Sequence, residues 1–215
     1  MLYQSAKKLY NTCGVARTFG NTQEVVLARK ILFGNYKNKA LYIAYVAVLC
    51  ALTVVCQYFL AQTGNQLLVG SVVNMFLLFA TTLCGIVGGA TLGCVTPFVA
   101  FLLGISKNFA QTPFVAVANL LLCVVYGVGT GLLSTNKRPV VVLNKVVYLV
   151  FGALVKFAFM YFVCVKLIFP LFMKEQMLQA LNVAWSWVQL FAALIGGTCV
   201  VLVDELLLRK KIRLV

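Results

Sequence analysis

Residues 40–106 contain no Lys, Arg, Asp or Glu, and this run limits the possible folds more than any other feature of the sequence. A soluble fold of this size needs charged residues on its outer surface. The run is long enough for three segments of about 20 apolar residues, each able to cross a hydrocarbon core of ~30 Å. Only helices and closed barrels satisfy their backbone polar groups in lipid, and these segments are too long and too evenly apolar for barrel strands. The run therefore predicts an all-α integral membrane protein.

The overall composition agrees, since 63% of the 215 residues are hydrophobic, 10% are charged and the mean hydropathy is +1.01. A net charge of +14 would suggest nucleic-acid binding in a soluble protein. Here the basic residues cluster at the two ends and in one loop, so they indicate membrane topology, and we expect no nucleic-acid partner. The eight cysteines form no CxxC pair and the chain has no His. We therefore expect packing cysteines, no metal site and no cofactor.

Turn and proline signals divide the apolar sequence into six predicted transmembrane helices. Their approximate ranges are 40–61, 67–84, 86–104, 113–133, 140–169 and 185–203. At ~1.5 Å per residue the fifth would be about 45 Å long, so it must tilt or extend past the bilayer. A short amphipathic connector, 173–182, precedes the sixth.

The distribution of Lys and Arg predicts that both termini are cytoplasmic. With the N-terminus inside, that side holds the basic clusters within 1–39, 134–139 and 209–215. The opposite side holds mainly Lys107 and Lys174. Membrane proteins concentrate positive residues in their cytoplasmic loops, so this orientation fits the sequence far better than its reverse.

These boundaries give a basic cytoplasmic lead-in (1–39), a membrane domain (40–208) and a basic cytoplasmic tail (209–215). Within the lead-in, residues 24–33 have two open interpretations. They form either a short amphipathic helix on the membrane surface or part of a loosely ordered tail.

Small residues and one proline mark the third predicted helix. Gly85, Gly89 and Gly93 recur at four-residue spacing, which lets a neighbouring backbone approach closely and predicts helix packing. Thr96-Pro97 then predicts a kink, because proline leaves one carbonyl without its intrahelical donor. In lipid that carbonyl needs a partner from protein or water.

The first predicted helix carries a stripe of alanines at Ala40, Ala44, Ala47 and Ala51. A small-residue stripe of this kind serves close helix packing. On spacing alone it fits either packing within the chain or docking of another membrane protein, and both interpretations stay open.

Four polar residues inside the predicted helices are candidate ligand contacts, because each costs free energy in hydrocarbon. Asn74 and Asn119 lie about 10 Å and 9 Å below the outer ends of their helices. Gln189 lies about one turn inside the sixth helix, and Lys156 falls near the middle of the fifth. For the amides the alternative is an interhelical hydrogen bond. For Lys156 the alternatives are snorkelling or capping the carbonyl freed near Pro97.

A cation near mid-membrane that has no intramembrane carboxylate as partner predicts contact with water or a ligand anion. Trp185 and Trp187, close to Gln189 in sequence, are able to stack on a flat ring. These groups predict a site for a small aromatic or heterocyclic solute whose carboxylate or phosphate meets Lys156.

The sequence carries no catalytic constellation: it has no Walker sequence, no HExxH and no Gly-x-Ser-x-Gly. Its acids are Glu24, Glu175, Asp204 and Glu205. This argues against an intramembrane protease or hydrolase, and we expect no enzyme activity and no ATP hydrolysis by the chain itself. It also argues against a proton-coupled carrier, which usually holds an intramembrane acid.

The membrane region resembles the substrate-binding S component of energy-coupling factor (ECF) transporters. The segments that carry the resemblance are ALYIAYVAVLCAL (40–52), GSVVNMFLLFATTLCGIVGGATLGCVTPFVAFLLG (70–104), PFVAVANLLLCVVYGV (113–128), GALVKFAFMYFVCVKLIFP (152–170) and WSWVQLFAALIGG (185–197). The alanine stripe is similar to the family's first-helix Ala-xxx-Ala motif, with Ala47 and Ala51 as the better placed pair. The long basic lead-in departs from the family's short N-termini.

The resemblance implies a multi-pass protein of a bacterial plasma membrane, in contact with membrane lipids, that captures a vitamin-like micronutrient from outside. It would dock through its first-helix alanines on a transmembrane coupling subunit bearing two ATPases. Two other functions stay open from the residues themselves. One is a stand-alone secondary transporter or small channel working as an oligomer, and the other is a membrane scaffold without transport activity.

Overall fold

The computed structural model describes residues 22–34, 38–105, 109–132, 138–171, 178–179, 182 and 185–209. Its longer helices are α1 (Thr22–Phe33), α2 (Lys39–Ala61), α3 (Gln66–Leu102), α4 (Thr112–Leu132), α5 (Arg138–Ala158) and α6 (Trp187–Arg209). A short 3₁₀ turn, Phe109–Gln111, precedes α4. A π-helical segment, Phe159–Ile168, and a 3₁₀ turn, Phe169–Leu171, continue α5.

Within the described residues, five helical segments are long and apolar enough to cross a membrane. They are Lys39–Ala61, Gln66–Leu102, Phe109–Leu132, Arg138–Leu171 and Trp187–Leu206. The described part of the chain is helical throughout its regular elements, so the all-α class is confirmed. Six crossings and the orientation of the termini stay predictions.

The longest of these segments, α3, is interrupted at Gly85, whose φ of 75° and ψ of −178° are not helical. Leu77 and Gly93, on opposite sides of this residue, lie side by side: a methyl group built on Gly93 would come 3.4 Å from Leu77 Cδ2. A straight helix would hold these residues about 24 Å apart. The chain therefore turns back at Gly85, a conformation that glycine adopts without the strain a side chain would add.

The helix α3 lies at the centre of the bundle and packs against α1, α2, α4 and α6, while α5 packs against α4 and α6. One buried cluster joins four helices through Leu78, Leu122, Leu149 and Val200. In lipid, apolar contact between helices gives little hydrophobic gain, so close packing and hydrogen bonds must hold such a bundle together. The glycines that permit close packing thus contribute more to holding this bundle together than the total buried apolar area does.

The helix α1 packs on one end of the bundle. The ring of Phe33 meets that of Tyr42 edge to face at 6.3 Å, and Ile31 lies against Gly131 at the end of α4. Gly34 lies against Gly85: a methyl built on Gly85 would come 2.7 Å from the Gly34 nitrogen. Residues 24–33 are thus helical and held against the membrane region. The predicted domain boundaries stay predictions.

Several sequence predictions fall on residues that the structure does not describe. They concern residues 1–21, Lys107, Lys137, Lys174, most of the connector 173–182, and the tail after Arg209.

Candidate functional site

Three of the predicted site residues meet in the interior of the bundle. The ammonium of Lys156, on α5, donates to the side-chain oxygens of Asn74 at 2.7 Å and Asn119 at 2.8 Å. Asn74 belongs to α3 and Asn119 to α4. All three side chains are at most 3% exposed. We call this cluster the lysine–amide site.

Glycines allow the helices of this site to come close enough for these bonds. A methyl built on Gly93 would lie 3.0 Å from Asn119 Cβ, so α3 and α4 approach closely there. A methyl built on Gly196 would lie 3.2 Å from the carbonyl carbon of Asn74, so α6 packs directly behind that residue. Larger side chains at these positions would push the helices apart by more than a hydrogen bond tolerates.

Asn119, and not Lys156, donates a hydrogen bond to the carbonyl that Pro97 leaves free. Pro97 has no N–H, so the carbonyl of Gly93 loses its intrahelical donor. The amide nitrogen of Asn119 donates to that carbonyl at 3.3 Å. The freed carbonyl therefore has a protein partner, as expected for a carbonyl in lipid. The suggestion that Lys156 caps it is wrong. Asn119 instead connects the proline in α3 with the lysine in α5.

The arrangement leaves the site rich in hydrogen-bond donors. In the described part of the chain the ion pairs of Asp204 and Glu205 are made with Lys145, and Lys156 is held by amide oxygens. An ammonium has three N–H donors, and the two amides use two of them. A buried cation without a carboxylate partner is costly, and a bound anion relieves that cost. The geometry suits an anionic group.

The two tryptophans lie in different surroundings. Trp185 is 4% exposed and meets the ring of Phe169 at 5.1 Å, within a cluster that includes Met160, one turn beyond Lys156. Trp187 is 62% exposed and stacks on Phe157 at 5.3 Å. The structure therefore does not bring the two indoles together as one clamp. Trp185 lies in the interior of the helix bundle and Trp187 on its surface.

Gln189 follows Trp187 by two residues and is buried near the start of α6. Its backbone N–H donates to the Ser186 carbonyl at 3.0 Å, which fixes the first turn of the helix. Its burial fits a ligand contact and an interhelical contact equally well.

The alanine stripe on α2 faces away from the rest of the chain. Ala40, Ala44, Ala47 and Ala51 are all exposed. The buried residues of this helix are Leu49 and Thr53, on the opposite face. Of the five candidate spans α2 is the least covered, with 11% of its most apolar stretch buried. Packing against the part of the chain that the structure describes therefore does not explain the stripe.

The glycine motif has two roles. Gly89 and Gly93 lie where α3 meets α4: a methyl on Gly89 would come 3.2 Å from Cys123 Sγ. Gly85 instead makes the turn within α3 and contacts the end of α1. The spacing alone did not distinguish a turn from a packing face.

Sequence reasoning missed one charged contact. Lys145 on α5 forms an ion pair with Asp204 on α6 and lies 3.8 Å from Glu205. These side chains are largely buried, with 11% to 24% of each exposed. The positions of these residues in the sequence were a usable signal. In an antiparallel pair of helices, the start of one helix lies beside the end of the other, so a lysine and acids at these positions come together.

Comparison with known proteins gives one result. The family model described as "ECF transporter, substrate-specific component" matches residues 41–208. No curated protein and no solved structure matches the chain. The matched range covers most of the chain, including the lysine–amide site and most of the alanine stripe. The chain therefore belongs to the family of substrate-specific components of ECF transporters.

Proposed function

We propose that this chain is the substrate-binding subunit of an ATP-driven importer and that it captures its solute at the lysine–amide site. The observation that carries the proposal is the Lys156 ammonium, held at 2.7 Å and 2.8 Å by amides from two other helices. Three helices contribute one polar residue each to a single buried point. A lysine that merely snorkelled would extend toward an interface and would need no such support.

The solute is a small anion, aromatic or heterocyclic in its body. Its carboxylate or phosphate accepts the third N–H of Lys156, and the amide groups of Asn74 and Asn119 hold the ammonium in place. Trp185 and Gln189 contact the ring from the interior side, and Trp187 borders the entrance. The aromatic residues around Phe169 supply the apolar wall that such sites usually have.

Six crossings with both termini in the cytoplasm fit this function. The turn at Gly85 supports six membrane crossings, because the segments of α3 before and after it would each cross the membrane once. The basic residues of the lead-in and of the 134–139 turn then share the cytoplasmic side. In that orientation Asn74 and Asn119 lie in the outer half, where a solute from outside arrives.

The exposed alanine stripe on α2 is the docking face for the transmembrane coupling subunit, which carries the two ATPases. Small side chains let a partner helix approach closely, and close approach is the main source of affinity between helices in lipid. The exposure of all four alanines supports this role. The plasma membrane of a bacterium is the setting that this assembly implies.

Co-purification and reconstitution test the proposal together. A tagged chain expressed with its native membrane proteins should co-purify with a transmembrane partner and ATPases. In liposomes the purified chain alone should bind its solute without accumulating it, and uptake should require the partners and ATP. Accumulation by the chain alone would favour a stand-alone secondary transporter.

A further inference from the structure

The end of the bundle that carries α1 exposes basic side chains that no part of the proposed importer mechanism uses. On α1, Leu27, Ala28, Ile31 and Leu32 are partly buried against the bundle, while Arg29 and Lys30 are exposed. The helix is thus amphipathic in place, with its apolar side on the protein and its charges turned outward. We call Arg29, Lys30 and Arg138 the basic end.

Arg138 joins these two residues because α5 begins at the same end. Ile31 of α1 lies against Gly131, near the last turn of α4, and Arg138 is the first residue of α5. The Asn144 amide donates to the Gly129 carbonyl at 2.9 Å, which holds the first turns of α5 beside the last turns of α4. Arg138 is exposed as well.

The acidic side chains that the structure describes near this end are already engaged. Asp204 and Glu205, near the end of α6, both lie within ion-pair distance of Lys145. The lead-in contributes one acid, Glu24, against seven Lys and Arg residues in 1–39. Among the described side chains, none of the ion pairs involves the three residues of the basic end. Their positive charge faces outward.

We propose that the basic end binds the phosphodiester headgroups of anionic phospholipids. The site is flanked by helix ends that enter an apolar bundle, so its charges lie at headgroup depth, beside exposed apolar side chains such as Leu132 and Val140. Anionic leaflets attract basic residues at this depth. A soluble acidic partner would gain from the charges alone and would make no use of the adjacent apolar rim. The proposal does not depend on the importer function.

Thermal unfolding of the purified full chain in a non-ionic detergent tests the proposal. Phosphatidylglycerol added to the micelles should raise the unfolding temperature more than phosphatidylcholine does, and the difference should shrink between about 50 mM and about 500 mM salt. The Arg29→Gln/Lys30→Gln variant should need at least about ten-fold more phosphatidylglycerol for half of the effect, since each basic residue near a charged surface changes affinity several-fold.

Three controls make the result decisive. Lys166→Gln removes a cation that lies over the Tyr161 ring, away from α1, and should leave the lipid effect unchanged. Arg29→Lys/Lys30→Arg keeps the charge and should behave as the parent does. Glycerol phosphate, a soluble source of the same chemistry, should have little effect. Equal stabilisation by the two lipids, equal stabilisation by glycerol phosphate, or an unchanged response of the glutamine variant would each overturn the proposal.

Discussion

Asn119 donates its side-chain amide at 3.3 Å to the carbonyl oxygen of Gly93, the acceptor that Pro97 leaves without an intrahelical donor. The oxygen of the same side chain accepts from Lys156. One asparagine thus supplies the hydrogen bond that Pro97 removes from α3 and orients the cation in α5. This double role makes the Gly93 carbonyl and the candidate ligand site parts of one hydrogen-bond network.

The network predicts that Asn119→Leu lowers the free energy of unfolding by about 1–3 kcal/mol, because it leaves a buried carbonyl unpaired and weakens the support of Lys156. Asn74→Leu should cost less, since Asn74 supports the lysine but does not cap Gly93. Unfolding in mixed micelles measures both.

A proline replacement separates the two roles of Asn119. Pro97→Ala restores an N–H that can reach the Gly93 carbonyl, so Asn119→Leu should cost less in that background than in the parent. An equal cost in both backgrounds would show that the contact with Gly93 contributes nothing.

The ion pair between Lys145 and Asp204 predicts a second stability effect. Asp204→Asn should destabilise the chain by about 1–2 kcal/mol, a value reduced from that of a fully buried pair because both side chains remain partly exposed. Glu205→Gln is the matched control and should cost less, because Glu205 lies farther away at 3.8 Å. If the two variants are equally stable, the pair is not specific to Asp204.

The alanine stripe predicts a separation of assembly from binding. Ala47→Leu/Ala51→Leu should abolish co-purification with the coupling subunit and leave solute binding within about two-fold of the parent, because the stripe lies on the face opposite the buried residues. Ala158→Leu, at an exposed alanine on α5, is the control and should assemble normally. Normal ATP-dependent uptake by the double leucine variant would contradict the docking role.

The proposed orientation predicts which loops face outward. A cysteine replacing Gln62, exposed between α2 and α3, should react with an impermeant maleimide on intact cells, whereas one replacing Arg138 should react only after lysis. Labelling of the parent chain sets the background. The reverse labelling pattern would place the lysine–amide site in the cytoplasmic half of the membrane.

The sequence predicted the elements of this fold better than their contacts. A charge-free run was enough to predict an all-helical membrane protein, because lipid excludes the alternatives, whereas the count of six crossings stays a prediction. The spacing of Gly85, which matches that of Gly89 and Gly93, predicts packing, whereas the structure has a turn there. A positive φ depends on where the chain must turn, which spacing alone does not reveal.

Three of the six predicted ligand contacts meet in the lysine–amide site, and their arrangement was only partly predictable. Asn74, Asn119 and Lys156 stood out because polar groups are rare in apolar helices. Whether they face one another depends on the rotation of each helix, which the close approaches at Gly93 and Gly196 determine. The same reason explains why the tryptophans were expected together and the contact of Lys145 with Asp204 was missed.

The central claim is that Lys156 binds the anionic group of the solute. A thermal-shift screen of small aromatic and heterocyclic carboxylates and phosphates identifies a solute that stabilises the parent, and titration then gives its Kd. The account predicts that Lys156→Met folds and binds about 10–150-fold more weakly, equivalent to about 1.5–3 kcal/mol, while Lys166→Met binds as the parent does. A folded Lys156→Met variant with the parent's Kd would contradict it.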